Sequence, residues 1–482
     1  MAIHPVDILI IFIFLVGTFL FGLSFVWKNK SVKDYTSGGG NVPGFVVGMS
    51  IFATFVSSIS FLALPGSAYL NNWNSLVFSI SIPLAIVFAA KYFVPFYRNI
   101  SSISAYSFLE EKFGYWSRAY ASACYLLTQI ARIGSVLFLL ALALSSMLGW
   151  STPLIIIITG IVVVVYSTVG GIKAVLWNDA IQGLLLIVGA IVCAIVLIVS
   201  LPGGFNQFIS VGTEFNKFSL GSFGLELNIP TFWVTLIYGL FINLQNFGID
   251  QNYIQRYKSA KNNSIAKSSA LFGGLLYLPV SFIFFVIGTA LFVYYKVQPD
   301  LLPEGIVSDQ VLPYFIVNGL PVGVTGLLIA AILSAGMSTL STGINSSATI
   351  ILTDFFEHKR KKPLSEKYKM RILYLMSLLV GLLGIGIGLA MMSVQSALDA
   401  WWIMASVFSG GMLGLFLLGY FSVKTNLINS RHALIGVILG VILIAWLSLS
   451  GQTIFHSYFA IVLGTIVIFV TGFLLSIVLK TK

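Results

Sequence analysis

Apolar residues gather into thirteen long runs separated by short polar or charged breaks, covering residues 5–27, 42–69, 75–97, 117–148, 152–170, 178–200, 231–255, 269–295, 311–353, 371–394, 400–422, 432–450 and 455–479. A helix rising about 1.5 Å per residue needs roughly 20 apolar positions to cross a bilayer core. The pattern therefore predicts an all-α polytopic membrane protein of thirteen transmembrane helices, with the whole chain, 1–482, as one unit.

Three runs are interrupted by polar clusters. Hydrocarbon cannot hydrogen-bond a freed backbone group, so such clusters mark cavities or binding sites. The second run, GFVVGMSIFATFVSSISFLALPGSAYL, carries Thr54, Ser57, Ser58 and Ser60 at mid-depth, which predicts a locally unwound, cavity-lining stretch. Hydroxyls bonding back to their own helix or to a neighbouring one are the plainer alternative. In the ninth run Ser338, Ser341, Thr342 and Asn345 recur at helical spacing and share one face. Such a stripe of neutral oxygens suits a weakly held monovalent cation, with small-residue helix packing as the alternative. The seventh run is interrupted by Gly239, Asn243, Gln245, Asn246 and Gly248. If runs two to six and seven to eleven are inverted repeats, the second and seventh correspond, and paired discontinuous helices point to a mid-membrane transport site.

Two charged side chains, Arg132 and Asp179, remain within the runs once the charges near run ends are assigned to the loops. Arg132 has 15 residues of its run before it and 16 after it. It requires an anionic partner, either a carboxylate ligand held in bidentate geometry or Asp179. Asp179 opens the sixth run, where it reads either as a helix cap or as a cation ligand.

The remaining charge is distributed by side. Of 26 Lys and Arg, 23 fall in alternate loops that collect them, only Lys217 and Lys296 fall on the opposite side, and Arg132 lies within a run. The positive-inside tendency then places the amino terminus outside and the carboxyl terminus in the cytoplasm. The formal net charge of +11 divides into +16 on the cytoplasmic side and −5 outside, with the cytoplasmic count including Arg256, Asp250 and Asp354. The basic excess, including the HKRKKP run at 358–363, is thus a topology signal and implies no nucleic-acid partner. With 58% hydrophobic and 9% charged residues, against about 25% charged in soluble domains, a soluble enzyme is excluded. Cys124 and Cys193 read as packing residues, and the first run lacks the flanks of a cleaved signal. The GGG at 38–40 precedes a run with neither strand nor Lys, so it reads as a flexible lead-in and not as a nucleotide loop.

The stretches DYTSGGGNVPGFVVGMSIFAT, YSTVGGIKAVLWNDAIQG and QRYKSAKN, the ninth-run serine cluster and TDFF resemble the sodium/solute symporter family over nearly the whole chain. FATFVSSISFLALPGSAY, GGIKAVLWNDAIQGLLL and TALFVYYKVQPDLLP are similar in particular to its bacterial sodium-coupled sialic acid transporters.

The resemblance implies a leucine-transporter-type fold: an extra first helix at 5–27, inverted five-helix repeats at 42–200 and 231–422, and two further helices at 432–479. It implies a sodium-coupled symporter, a monomer in the bilayer, that imports N-acetylneuraminate with two Na+ per substrate by alternating access. A common sodium site would use carbonyls of Ala53, Val56 and Ala335 with the hydroxyls of Ser338 and Thr339. An additional site would use Asp179, Ser338, Ser341 and Thr342. Arg132 would hold the substrate carboxylate, with Ser57 and Ser60 bonding polar groups and Asn243 of the seventh run beside them. Phe55 and Ser79 stand where the sialic acid transporters carry Thr and Gln, and Ser75 replaces an aromatic, which leaves Arg132 as the main argument for an acidic sugar. Another small carboxylate, proline, a neutral sugar, or a non-transporting sensor of the same fold are the competing readings.

Overall fold

Continuous apolar runs have no alternation for a half-buried strand, and helices alone satisfy their backbone within one segment. In a computed structural model of the chain the described residues are 3–29, 31–358, 362–393, 404, 405, 408, 411–425, 429–451 and 454–478. They are helical apart from turns and one isolated bridge between Val42 and Ala260. Part of the 400–422 run, positions 359–361 of HKRKKP, and Lys30, Lys480 and Lys482 lie outside the described residues.

The chain opens with α1 (Pro5–Leu23), the short α2 (Val32–Ser37), and the bent pair α3 (Gly44–Phe55) and α4 (Ser58–Leu70). Next come α5 (Leu76–Ile80), α6 (Ile82–Phe88) and α7 (Val94–Asn99), then α8 (Ser107–Phe113), α9 (Tyr115–Leu148) and α10 (Thr152–Val199). The second half holds α11 (Gly204–Glu214), α12 (Phe232–Ile249), α13 (Gln251–Ser259), α14 (Asn263–Val297), α15 (Ser308–Asn318) and α16 (Val324–Ile350). It finishes with α17 (Glu366–Ala390), α18 (Met412–Thr425), α19 (Ser430–Leu449) and α20 (Phe459–Val478). Among the described residues ten helices are long and apolar enough to cross a bilayer, or eleven when the bent pair counts as one span.

The predicted fifth and sixth runs fuse into α10, whose 48 residues would reach about 72 Å if straight. They do not run straight, because the backbone leaves helical geometry at Gly171 (φ 56, ψ −164). Tyr166 and Asn178, one on each side of this break, both press on Gly22: a Cβ there would lie 2.8 Å from Tyr166 Cβ and 3.0 Å from Asn178 Nδ2. Twelve helical residues would separate them by about 18 Å, so the chain reverses at Gly171. The expected connection thus shrinks to one residue whose left-handed φ favours glycine, and GIKAVLWND continues as helix. Asp179 consequently lies well inside a helix and caps nothing.

The ninth run also divides. Residues 308–318 form the separate α15, and the apolar helix starts at Val324. GGG at 38–40 is an ordered 3₁₀ turn with all three φ values positive.

The core is built around α16. Its small side chains let neighbouring backbones approach closely, and every residue from Leu328 to Ile350 is buried. Asp7 of α1, expected on the outer surface, is 2% exposed. Its Oδ1 accepts from the backbone N–H groups of Gly323 and Gly326, each at 2.8 Å, and so caps the amino terminus of α16. A carboxylate at that end also complements the helix dipole. Asp7→Ala is expected to destabilise the protein by about 1 to 2 kcal/mol, read as a lower midpoint in detergent unfolding, whereas Asp7→Asn should retain part of the cap; an unchanged midpoint for the alanine variant would refute the capping role.

Candidate functional site

The site grows from the break between α3 and α4. Val56 and Ser57 take extended backbone angles (ψ 117 and 169), and the two half-helices meet at 51°. Ser57 caps α4 by accepting from Ser60 N–H at 3.4 Å, and the two hydroxyls are 3.5 Å apart. Thr54 instead bonds back to the Ser50 carbonyl at 2.7 Å, the plainer role open to it from the sequence.

Breaking a helix frees carbonyls that must find other donors. Ser338 Oγ of α16 lies 3.0 Å from the Ala53 carbonyl and 3.2 Å from that of Ala335, and Thr339 Oγ1 lies 3.2 Å from the same Ala335 oxygen. Four of the five groups expected in the common sodium site therefore converge, and the fifth, Val56, is fully buried at the break beside them. Carbonyl and hydroxyl oxygens are hard donors suited to an alkali cation. Among the described residues no cluster of three His, Cys, Asp or Glu offers a transition-metal site.

The second cluster differs from its sequence reading. Arg256, counted as a cytoplasmic loop charge, lies on α13 with no solvent exposure. It takes the place expected of Arg132 as partner to Asp179: Arg256 Nη2 donates to Asp179 Oδ2 at 2.8 Å, with both side chains fully buried. The same guanidinium reaches Thr342 Oγ1 at 2.6 Å, Ser50 Oγ at 2.8 Å and the Asn252 carbonyl at 2.7 Å. Ser50 also donates to Asp179 Oδ2 at 2.6 Å, while Asp179 Oδ1 is buried without a hydrogen-bond partner. Ser341 bonds the Ser338 carbonyl at 3.2 Å. Asp179, Ser341 and Thr342 thus gather next to Ser338 as expected, but with a guanidinium already on two of them. The signal is present in the sequence. Gln251, Asn252, Gln255, Arg256 and Ser259 recur at helical spacing, and all five are buried on α13.

The interruption of the seventh span also moves. The helix α12 runs unbroken through Gly239, Asn243 and Gly248, and the backbone becomes extended at Asp250 (φ −76, ψ 126). Glycines alone do not unwind it because each meets a close neighbour: a Cβ on Gly239 would lie 2.7 Å from Ser81 Oγ, and one on Gly248 2.8 Å from the Phe93 ring. Asp250 caps α13 by accepting from Asn252 N–H at 2.7 Å, so a capping side chain sets the position of the break.

Arg132, half-buried on α9, points to the other break, with Nη2 3.4 Å from the Thr54 carbonyl. Phe55 stacks on Phe247 at 5.4 Å and edges onto Tyr277 at 4.4 Å, which joins the last turn of α3 to the last turn of α12. The remaining expected contacts are engaged with neighbouring helices. Ser79 pairs with Ser281 at 2.8 Å, Ser75 with Ser67 at 3.2 Å, and Asn243 donates to Ser81 at 2.9 Å. Cys124 and Cys193 are free thiols.

The chain is similar over most of its length to proteins already described. A relative described as the sodium/sialic acid symporter NanT of Aliivibrio fischeri is 34% identical over 478 residues, 98% of this chain and 93% of its own. Another, the sodium/sialic acid symporter SiaT of Proteus mirabilis, is 33% identical over 439 residues, 90% of this chain and 87% of its own. A solved structure of a Na+-coupled sialic acid symporter in a substrate-bound outward-open state superposes with a TM-score of 0.92 at 29% identity, covering 98% of both chains. Residues 35–440 match the sodium:solute symporter family, and with a broken helix closed by the hydroxyls of a buried one, the chain belongs to that family.

Proposed function

We propose that this protein imports sialic acid, as N-acetylneuraminate, in symport with sodium by alternating access. The observation that carries the reading is the convergence of Ser338, Thr339 and the Ala53 and Ala335 carbonyls at the broken span. The half-buried guanidinium of Arg132 lies against the same break, and the two relatives of matching length are named as sialic acid symporters.

In this reading, sodium held by Ala53, Val56, Ala335, Ser338 and Thr339 fixes the α3–α4 break against α16. That places the amino-terminal end of α4, with Ser57 and Ser60, beside the Arg132 guanidinium. Arg132 pairs with the carboxylate and the helix end favours the same charge. Phe55 offers an apolar ring face to the substrate, with Ser75, Ser79 and Asn243 behind. Loss of sodium to the cytoplasm frees the break, and the substrate follows.

A second sodium at Asp179, Ser338, Ser341 and Thr342 is supported by the buried, unpartnered Asp179 Oδ1. Arg256, already on Asp179 Oδ2, would share the carboxylate with the ion. The second ion matters energetically. A tenfold gradient supplies about 1.4 kcal/mol per ion, and one net positive charge crossing 100 mV adds about 2.3 kcal/mol. Two ions per monoanion thus make roughly 5 kcal/mol available, whereas one ion forfeits the voltage term.

We further infer thirteen crossings, with the amino terminus outside, the carboxyl terminus cytoplasmic and a monomer as the transporting unit. The reversal at Gly171 and the apolar helix α18 support this count over the ten long helices. The domains would be an extra helix at 5–27, repeats at 42–200 and 231–422, and two closing helices at 432–479. A smaller carboxylate with an apolar body is a second reading, favoured by the Phe55–Phe247–Tyr277 cluster and by the Ser79–Ser281 pair.

Uptake into proteoliposomes with imposed gradients tests the reading. Sialic acid accumulation should require external sodium and be inhibited by excess unlabelled acid, with short monocarboxylates competing only if the second reading holds. Arg132→Ala should lower kcat/KM for the acid by about a hundredfold, the loss of one charge-assisted bidentate pair worth about 3 kcal/mol; retained affinity would remove Arg132 from the site. Asp179→Ala should bring the sodium Hill coefficient toward one and abolish the response to membrane potential, while an unchanged coefficient would dispose of the second ion.

A further inference from the structure

Two stretches of otherwise buried helix each leave one charged side chain part-exposed. From Ala131 to Phe138 on α9 that residue is Arg132, and from Phe247 to Tyr257, across the α12–α13 break, it is Asp250; every other residue of both stretches is buried. A charged side chain part-exposed between packed neighbours inside a membrane bundle opens on internal space.

The two open on the same space. Arg132 Nη2 lies 3.4 Å from the Thr54 carbonyl, and the adjoining Phe55 stacks on Phe247, one turn before Asp250. From the other side Tyr125, two turns before Arg132 on α9, donates to Asn252 Oδ1 at 2.8 Å, just after Asp250. Two guanidiniums, those of Arg132 and Arg256, act on the Asp250 charge.

The fold uses only half of this carboxylate. Oδ1 accepts from the Asn252 N–H at 2.7 Å, and among the described residues no group donates to Oδ2. Arg256 is committed to Asp179. While Arg132 holds no ligand, its positive charge offsets Asp250. Once a substrate carboxylate pairs with Arg132, the Asp250 charge loses that compensation and must be met by hydrogen-bond donors. A plain monocarboxylate brings none and adds a like charge, whereas a hydroxylated acid brings several.

We propose that Asp250 is the second recognition group of the substrate site, its Oδ2 accepting from a hydroxyl of the acidic sugar whose carboxylate lies on Arg132. This role rests on the sodium-coupled sialic acid reading and sharpens it, because the site then selects acids that carry donors away from the carboxylate. A buried acceptor that needs a substrate hydroxyl rejects an analogue lacking it more strongly than an apolar pocket rejects a missing methylene. Asp250 also supplies an acceptor that Ser79, engaged with Ser281 at 2.8 Å, does not.

The test measures equilibrium binding to the full-length protein in nanodiscs at saturating sodium, with N-acetylneuraminate and propionate as probes. Asp250→Ser keeps a capping hydroxyl for α13 and removes the free oxygen. It should weaken N-acetylneuraminate about thirtyfold, the worth of one hydrogen bond to a charged group, and tighten propionate, which then meets one like charge fewer. In Arg132→Ala binding of both should be lost. Among analogues of the sugar that each lack one hydroxyl, one should bind the wild type as weakly as the parent sugar binds Asp250→Ser, and lose nothing further in that variant. Asp250→Asn should fall between the two, and it carries the same comparison if the serine variant does not fold. Unchanged affinity for the sugar, or equal losses for both probes, would reduce Asp250 to a helix cap and overturn its recognition role while leaving the symporter reading intact. A wild type that neither binds nor transports the sugar overturns both.

Discussion

A helix interrupted inside a membrane must have its freed carbonyls satisfied by something other than water. Here that obligation falls on α16, whose Ser338 hydroxyl lies 3.0 Å from the Ala53 carbonyl. The rest of the site follows from this contact. To reach the break, α16 must be buried on all sides, so its sequence is small and hydroxylated where other spans are bulky and aliphatic. On the proposed reading, the hydroxyls that close the break are also the donors a sodium ion would use, so ion binding there would need no new cavity.

The buried pair of Arg256 and Asp179 obeys the same constraint applied to charge. Removing one partner of such a pair costs about 3 to 5 kcal/mol because the other is left uncompensated in a dry interior. Ser50, Thr342 and the Asn252 carbonyl saturate much of the remaining hydrogen-bonding capacity, which is what makes the pair tolerable. The pair also joins four elements, α3, α10, α13 and α16. The neutral ring stack of Phe55 on Phe247 spans the same two broken helices without a charge.

Much of this is legible in the residues. Four hydroxyls within seven positions mark the break at Val56–Ser57, and the helical spacing of Ser338, Ser341, Thr342 and Asn345 marks the buried helix. Other features stay hidden because pattern reports polarity and not partnership. Arg256 follows an apolar run and looks like a loop charge until α13 is seen to turn its polar stripe inward. Glycines in the seventh span suggest unwinding, yet Gly239 and Gly248 serve close packing and the capping residue Asp250 ends the helix. Asp7 reads as surface because nothing in its own neighbourhood reveals the amino terminus it caps more than three hundred residues later. The pattern separates the fifth and sixth runs and so foresees a reversal between them, but not that Gly171 alone carries it while the residues after it continue as helix.

The two ends of α16 are held by buried carboxylates. Asp7 fixes the first turn, and beyond the last turn Asp354 is bound by Arg118, Ser104 and Ser122. A rod anchored at both tips cannot slide along its own axis or tip without breaking charge-assisted bonds in a dry interior. On the proposed reading, a rearrangement that opens the Ala53–Ser338 contact to one side or the other would fall to the half-helices leaning on it. The helix that supplies the hydroxyls is thus tied down at both tips, whereas the half-helices that lean on it each carry a backbone break.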